Sequence, residues 1–236
     1  MLGKLWSLLA LAAIIETVPL RAEVVPYQVD NRESLLAVVT HRAGPAARLA
    51  HDHLISAPLN RVALELDPQE PEGTVRFTLR FPATELAVDR PEERTWFSPR
   101  AVRLGILPEP GLPLISSSDV PKVRKAMLGP EQLDASRFPE VSVELLGLER
   151  RGGGSARVGL PWSARVRVAL HGTSRELSVP LRYEIVEQGQ LTVEAVGEAS
   201  FSDFGIPPYS AFLGAIRNQD TFHFVAVLRA FPAPKK

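Results

Sequence analysis

Residues 162–204 read WSARVRVALHGTSRELSVPLRYEIVEQGQLTVEAVGEASFSDF, and this stretch decides the architecture. In its first run Trp162, Ala164, Val166, Val168 and Leu170 alternate with Ser163, Arg165, Arg167 and Ala169. In the second, Leu177, Val179, Leu181, Tyr183 and Ile185 alternate with Ser178, Arg182 and Glu184. In the third, Leu191, Val193, Ala195, Gly197, Ala199 and Phe201 keep the same phase. A period of two sends neighbouring side chains to opposite faces of a sheet. The joins HGTSRE and EQGQ are turn-like, so the runs predict an antiparallel meander with one apolar and one wet face. The rest of the chain must cover the apolar face or close it into a barrel.

Working outward, TFHFVAVLRAF at 221–231 predicts a closing strand, and PPYSAFLGAIRN at 207–218 predicts a turn or more of helix. Upstream, 141–148 predicts a strand ending in a glycine-rich tip, RRGGGSAR. A short helix is expected over 120–128, capped by Ser118 or Asp119 and stopped by Gly129 and Pro130. Residues 89–117 read as an irregular excursion, either lying on the barrel wall or covering one end. Val75, Phe77, Leu79 and Phe81 alternate cleanly with Thr74, Arg76, Thr78 and Arg80. Weaker strand signals occupy 24–30, 34–41, 48–55, 59–66 and 83–88. The fold class is therefore all-β: an extended antiparallel barrel of about eight strands with one or two short helices. Closure removes sticky edge strands. A barrel of this size either fills with side chains or holds one small ligand. Ala164, Ala195, Gly197 and Ala199 beside Phe77, Phe81 and Tyr183 suit an open tube or an interlocked core equally.

The chain has 236 residues, 27 basic and 27 acidic side chains, and no cysteine. Balanced charge argues against nucleic acid as a partner. The missing cysteines exclude disulfides, thiol nucleophiles and thiolate metal sites. Residues 1–22 carry Lys4, a short apolar core and then Pro19 and Ala22, the pattern of a signal peptide. The expectation is a periplasmic or secreted protein in which 23–236 form a single barrel domain.

Among the histidines, His51 and His53 flank Asp52. Two imidazoles two apart on a strand share a side and can share a metal, given a third ligand such as His41 or His223. His171, Gly172, Thr173 and Ser174 mark a structured hairpin end. No nucleophile elbow, phosphate loop or zincin motif is present, and no cofactor is implied, so the sequence points to a binder rather than an enzyme. An apolar tube with polar groups at its mouth suits a long-tailed amphiphile. A metal-dependent protein built on His51 and His53, and a packed interaction domain without a cavity, are the alternatives.

Five stretches stand out together: YQVDNRESLLAVVTH at 27–41, LDASRFPEVSVE at 133–144, VRVALHGTSRELSVPLRYE at 166–184, EASFSDFGI at 198–206 and TFHFVAVLRA at 221–230. In these pieces the sequence resembles the YceI-like family of polyisoprenoid-binding, lipocalin-like proteins. The resemblance implies a barrel with a long apolar cavity and an isoprenoid or other amphiphilic lipid as partner. It places Phe138, His171 and Phe204 in the wall and rim. Alternation supplies Phe77, Phe81, Val166, Val168, Leu181 and Tyr183, with Phe224 from the closing strand. Transient membrane contact and a homodimer are compatible with this reading. The chain departs from the family at 123–127, where Val-Arg-Lys-Ala-Met replaces an Arg-Asp-x-His-like stretch and only Arg124 matches.

Overall fold

The computed structural model describes residues 23–151 and 159–234. The leader-like stretch 1–22 and most of the glycine-rich tip lie outside the described residues. The first half of the chain gives β1 (Val25–Val29), β2 (Leu35–Ala43), β3 (His53–Ser56), β4 (Val62–Leu66), α1 (Pro71–Thr74), β5 (Arg76–Pro82), β6 (Ala87–Val88), α2 (Pro91–Arg103) and α3 (Val120–Leu128). The second half gives β7 (Glu140–Arg150), β8 (Trp162–Leu170), β9 (Thr173–Ile185), β10 (Leu191–Ser200), β11 (Ser210–Ala211) and β12 (Ile216–Pro232).

The strands close into a ring. Pairing runs β1-β4-β5-β7-β8-β9-β10-β12, and β12 pairs back onto β1. β12 also pairs with β2, which continues to β3 and β6. β1 and β2 follow one another along the same edge of β12, so they are one interrupted strand. β3 with β4, and β5 with β6, are interrupted in the same way. The result is an eight-stranded closed antiparallel barrel, as the alternation predicts. Arg124 of α3 ties the interrupted side down, donating to the carbonyls of Leu86 and Thr84 at 2.5 Å each.

The expected helix at 120–128 forms over those residues. The strands expected at 48–55 and 83–88 form only in part, as His53–Ser56 and Ala87–Val88, each preceded by a short 3₁₀ turn, and two longer segments differ from expectation. The first part of the 89–117 excursion is helix α2, begun by Pro91 at its first turn with Glu92 and Glu93 there and Arg100 and Arg103 in the last turn. That arrangement suits the helix dipole. α2 lies on the outer wall and is no end cover: Phe97 and Ala101, both fully buried, pack with Val39, Leu54, Val196 and Val225. Glu194, outward-facing on β10, accepts from Arg103 at 3.2 Å and pairs with Arg182, while Arg100 approaches to 3.5 Å. The second difference is 207–218, which is a β11–β12 hairpin rather than helix.

Candidate functional site

The inner faces of the strands enclose a cavity of about 500 Å³. The interlocked-core alternative therefore does not hold. Val166 and Val168 of β8, Val179 and Leu181 of β9, and Val193 and Ala195 of β10 form one wall. Leu36, Val38, Phe77 and Phe81 face them from the first half of the chain. Both ends of the third run, Leu191 and Phe201, line the space, so it follows about 30 Å of wall at about 3.3 Å per residue. Its lower end is bounded by Leu66, Pro71, Val75 and Tyr183. The Tyr183 hydroxyl donates to Glu72 of α1, and burial together with that carboxylate raises its pKa well above the ordinary phenol value.

The polar lining gathers at the opposite, upper end: Thr40, His53, Lys122, Gln132, Tyr209 and Asn218. His53 is the best supported of these. Its Nδ1 lies 2.6 Å from Asp89 Oδ2, and the Asp89 side chain is wholly buried. Asp89 Oδ1 accepts from Leu54 N at 2.8 Å and from the equally buried Arg94. Arg94 also donates to the carbonyls of Asp52 and Pro113, at 3.0 and 2.9 Å. Burial alone would raise the Asp89 pKa, but the hydrogen bond and charge of His53, the Leu54 amide and Arg94 outweigh it and hold the carboxyl below its ordinary value. An ionised carboxylate only accepts, so His53 Nδ1 carries the proton. Nε2 is then left for the cavity.

Of the residues singled out from sequence, Phe77, Phe81, Val166, Val168, Leu181, Tyr183, Phe204 and Phe224 line this space. Phe138 and His171 do not. They pack against each other at 4.5 Å, with the Phe138 ring pressed on Gly172 and His171 Nδ1 3.1 Å from the Phe204 carbonyl. This pair locks the β8–β9 hairpin and supports Phe204 from behind. The metal reading also loses its geometry. His51 is exposed, and His53 is taken by Asp89. The third ligands considered are engaged elsewhere: His41 Nε2 is 2.6 Å from His223 Nδ1, whose Nε2 is 3.0 Å from Glu198. Among the described residues no group of three or more His, Asp or Glu side chains is placed to hold a metal.

Sequence reasoning missed Asp89 and Arg94, because they stand 36 and 41 positions from His53 in a segment without periodicity. It also missed Lys122, Gln132, Tyr209 and Asn218 at the mouth. Amphipathic placement of Lys122 beside Val123, Ala126 and Met127 on α3 was the one signal available for them.

No protein-family profile matches the chain, and no curated protein matches it. Solved structures do. BcnA from Burkholderia cenocepacia superposes with a TM-score of 0.52 at 12% identity, covering 86% of this chain and 99% of that one. A polyisoprenoid binding domain from Saccharophagus degradans gives 0.49 at 9% identity, with 89% and 99% covered. The YCEI protein of Campylobacter jejuni gives 0.42 at 8% identity, with 74% and 81% covered. The last two superpositions are too weak to carry weight, and the first speaks to fold alone. With its ring closed by β12 on β1 around an apolar interior, the chain shares the barrel fold of BcnA.

Proposed function

We propose that this barrel holds one long-tailed amphiphile, an isoprenoid lipid or a close equivalent, with its tail in the cavity and its polar end at the upper mouth beside His53. The observation that carries the reading is the distribution of the lining: apolar side chains along the wall, with the polar ones other than Tyr183 gathered at one end. Each methylene taken from water is worth about 0.8 kcal/mol. Association itself costs on the order of 4–15 kcal/mol, so a short tail gains nothing and a long one is needed. His53 Nε2, steadied through the ring by Asp89 and Arg94, is placed to hydrogen-bond a hydroxyl headgroup, which can serve as donor or acceptor. No nucleophile or metal is needed for this task, and the protein acts as a carrier or store rather than an enzyme. The leader-like residues 1–22 support export, to the periplasm or beyond, where a tailed lipid needs a carrier through water.

The test is organic extraction of protein purified from its native host, followed by mass spectrometry. Near-stoichiometric lipid is expected. An Ala195→Trp variant, which fills the middle of the tube, should emerge empty while remaining folded. Wild-type protein that is consistently empty and refuses added prenyl and acyl lipids overturns the reading.

A further inference from the structure

The β11–β12 hairpin breaks a local rule. Gly214 N donates to the Ala211 carbonyl at 3.1 Å, so Phe212 and Leu213 are the central pair of a tight turn. Both have left-handed backbones, φ 51° and 55°. The loop between the paired Ala211 and Ile216 is four residues long, and left-handed backbones at both central positions of its first turn favour Asn, Asp or Gly, because a Cβ is disfavoured there. Here the turn instead carries two large apolar side chains, and both stand in solvent: Phe212 is 79% and Leu213 109% exposed. Strain combined with exposed apolar surface is costly twice over, and it concentrates where it serves a function.

The surroundings say what the tip meets. Ala46 N donates to the Ala215 carbonyl at 2.9 Å, docking the 44–50 loop against the hairpin. Gly44, at φ +94°, allows that approach, since a Cβ there would stand 2.6 Å from the same carbonyl. The loop brings Leu49, 69% exposed, to the same end. The two segments read RAGPAARLA at 42–50 and PYSAFLGAIR at 208–217, and contain three arginines and no acidic residue. Arg48 and Arg217 are exposed and form no ion pair among the described residues. Tyr209 and Asn218, at the base of the hairpin and joined by a 2.9 Å hydrogen bond, line the upper mouth of the cavity.

We infer that Phe212, Leu213 and Leu49 form a docking tip that enters an anionic lipid bilayer, with Arg48 and Arg217 at headgroup level, and so sets the cavity mouth on the membrane surface. Apolar tips enter the acyl boundary while flanking basic side chains meet anionic headgroups. The docking stands on the surface alone; its purpose, passing a tail between bilayer and cavity, rests on the function proposed above.

The experiment is co-sedimentation with phosphatidylcholine vesicles, with and without phosphatidylglycerol. Uptake of a monomeric fluorescent prenyl alcohol is measured separately, without vesicles. Wild type should partition onto the anionic vesicles, and more weakly at high salt. Phe212→Asn/Leu213→Gly, which suits the turn better than the native pair, should partition about tenfold less or worse. Arg48→Gln/Arg217→Gln should lose the preference for anionic vesicles by about fivefold per arginine. Prenyl uptake should be unchanged in both. Wild type that stays with the supernatant, or a Phe212→Asn/Leu213→Gly protein that binds vesicles as well as wild type, overturns the docking inference. Normal docking with no prenyl uptake by any form leaves the tip standing and removes the cavity reading.

Discussion

Phe224 occupies the space that a side chain at Gly197 would need. The two are direct cross-strand partners on β12 and β10, and a Cβ on Gly197 would stand 2.1 Å from the ring. The absent side chain lets the ring lie back on the wall and keeps the lumen clear. Gly197→Ala drives the ring inward. Urea unfolding should show a loss of about 1–3 kcal/mol, as for other overpacked interiors. Extracted lipid should shift to thinner or shorter tails.

The buried Arg94–Asp89 pair predicts an asymmetry. Arg94→Met alone leaves a buried carboxylate facing only His53 and an amide, and should cost about 3–5 kcal/mol. Arg94→Met/Asp89→Asn should recover part of that loss, because no uncompensated charge remains. A double-mutant cycle by chemical denaturation measures the coupling. The double variant should also bind hydroxyl-headed lipids less tightly, since nothing fixes the His53 tautomer.

These residues also show what could be read from sequence. The β7–β10 wall and β12 were legible, because a strict period of two admits one reading of which side faces in. Helix α3 was legible from its Asp119 start and Gly129–Pro130 stop. Helix α2 was not, because Pro99 sits inside it and its apolar residues are sparse. Its signals were subtler: Pro91 opening, acids first, arginines last. The Asp89–Arg94–His53 contact has no local signature, since tertiary closure alone brings β3 and the α2 start together. At 207–218 the sequence misleads, because Phe-Leu is an unnatural choice for the turn it makes.

His41 predicts a pH effect. Burial lowers its pKa below 6.5, and the neighbouring His223 charge lowers it further, against the weaker opposing pull of Asp52 and Glu198. The folded protein therefore resists taking up a proton that the unfolded chain accepts. The stability this group contributes is full above pH 6.5 and falls as pH drops toward the depressed folded value. The slope is at most about 1.4 kcal/mol per pH unit. Denaturation series at successive pH values should show it, and His41→Gln should flatten the curve between pH 5 and 7, roughly the range in which an ordinary histidine titrates.

The hairpin tip predicts a gain. Phe212→Asn/Leu213→Gly removes the Cβ at one left-handed position and puts at the other a residue whose short polar side chain tolerates it, easing strain on the order of 1–3 kcal/mol per position. Allowing for glycine entropy, thermal unfolding should move up, equivalent to about 1–2 kcal/mol. A variant that is more stable yet defective at vesicles would mark the native pair as kept for contact rather than folding.

The three interrupted strands have a mechanical consequence. Their breaks, at 30–34, 57–61 and 83–86, fall side by side on neighbouring strands, while β7 to β10 and β12 run 9 to 17 residues without one. One flank is thus a continuous stave wall and the other is articulated. On the function proposed above, guests of different girth should be accommodated at the jointed flank, with the continuous flank serving as the template.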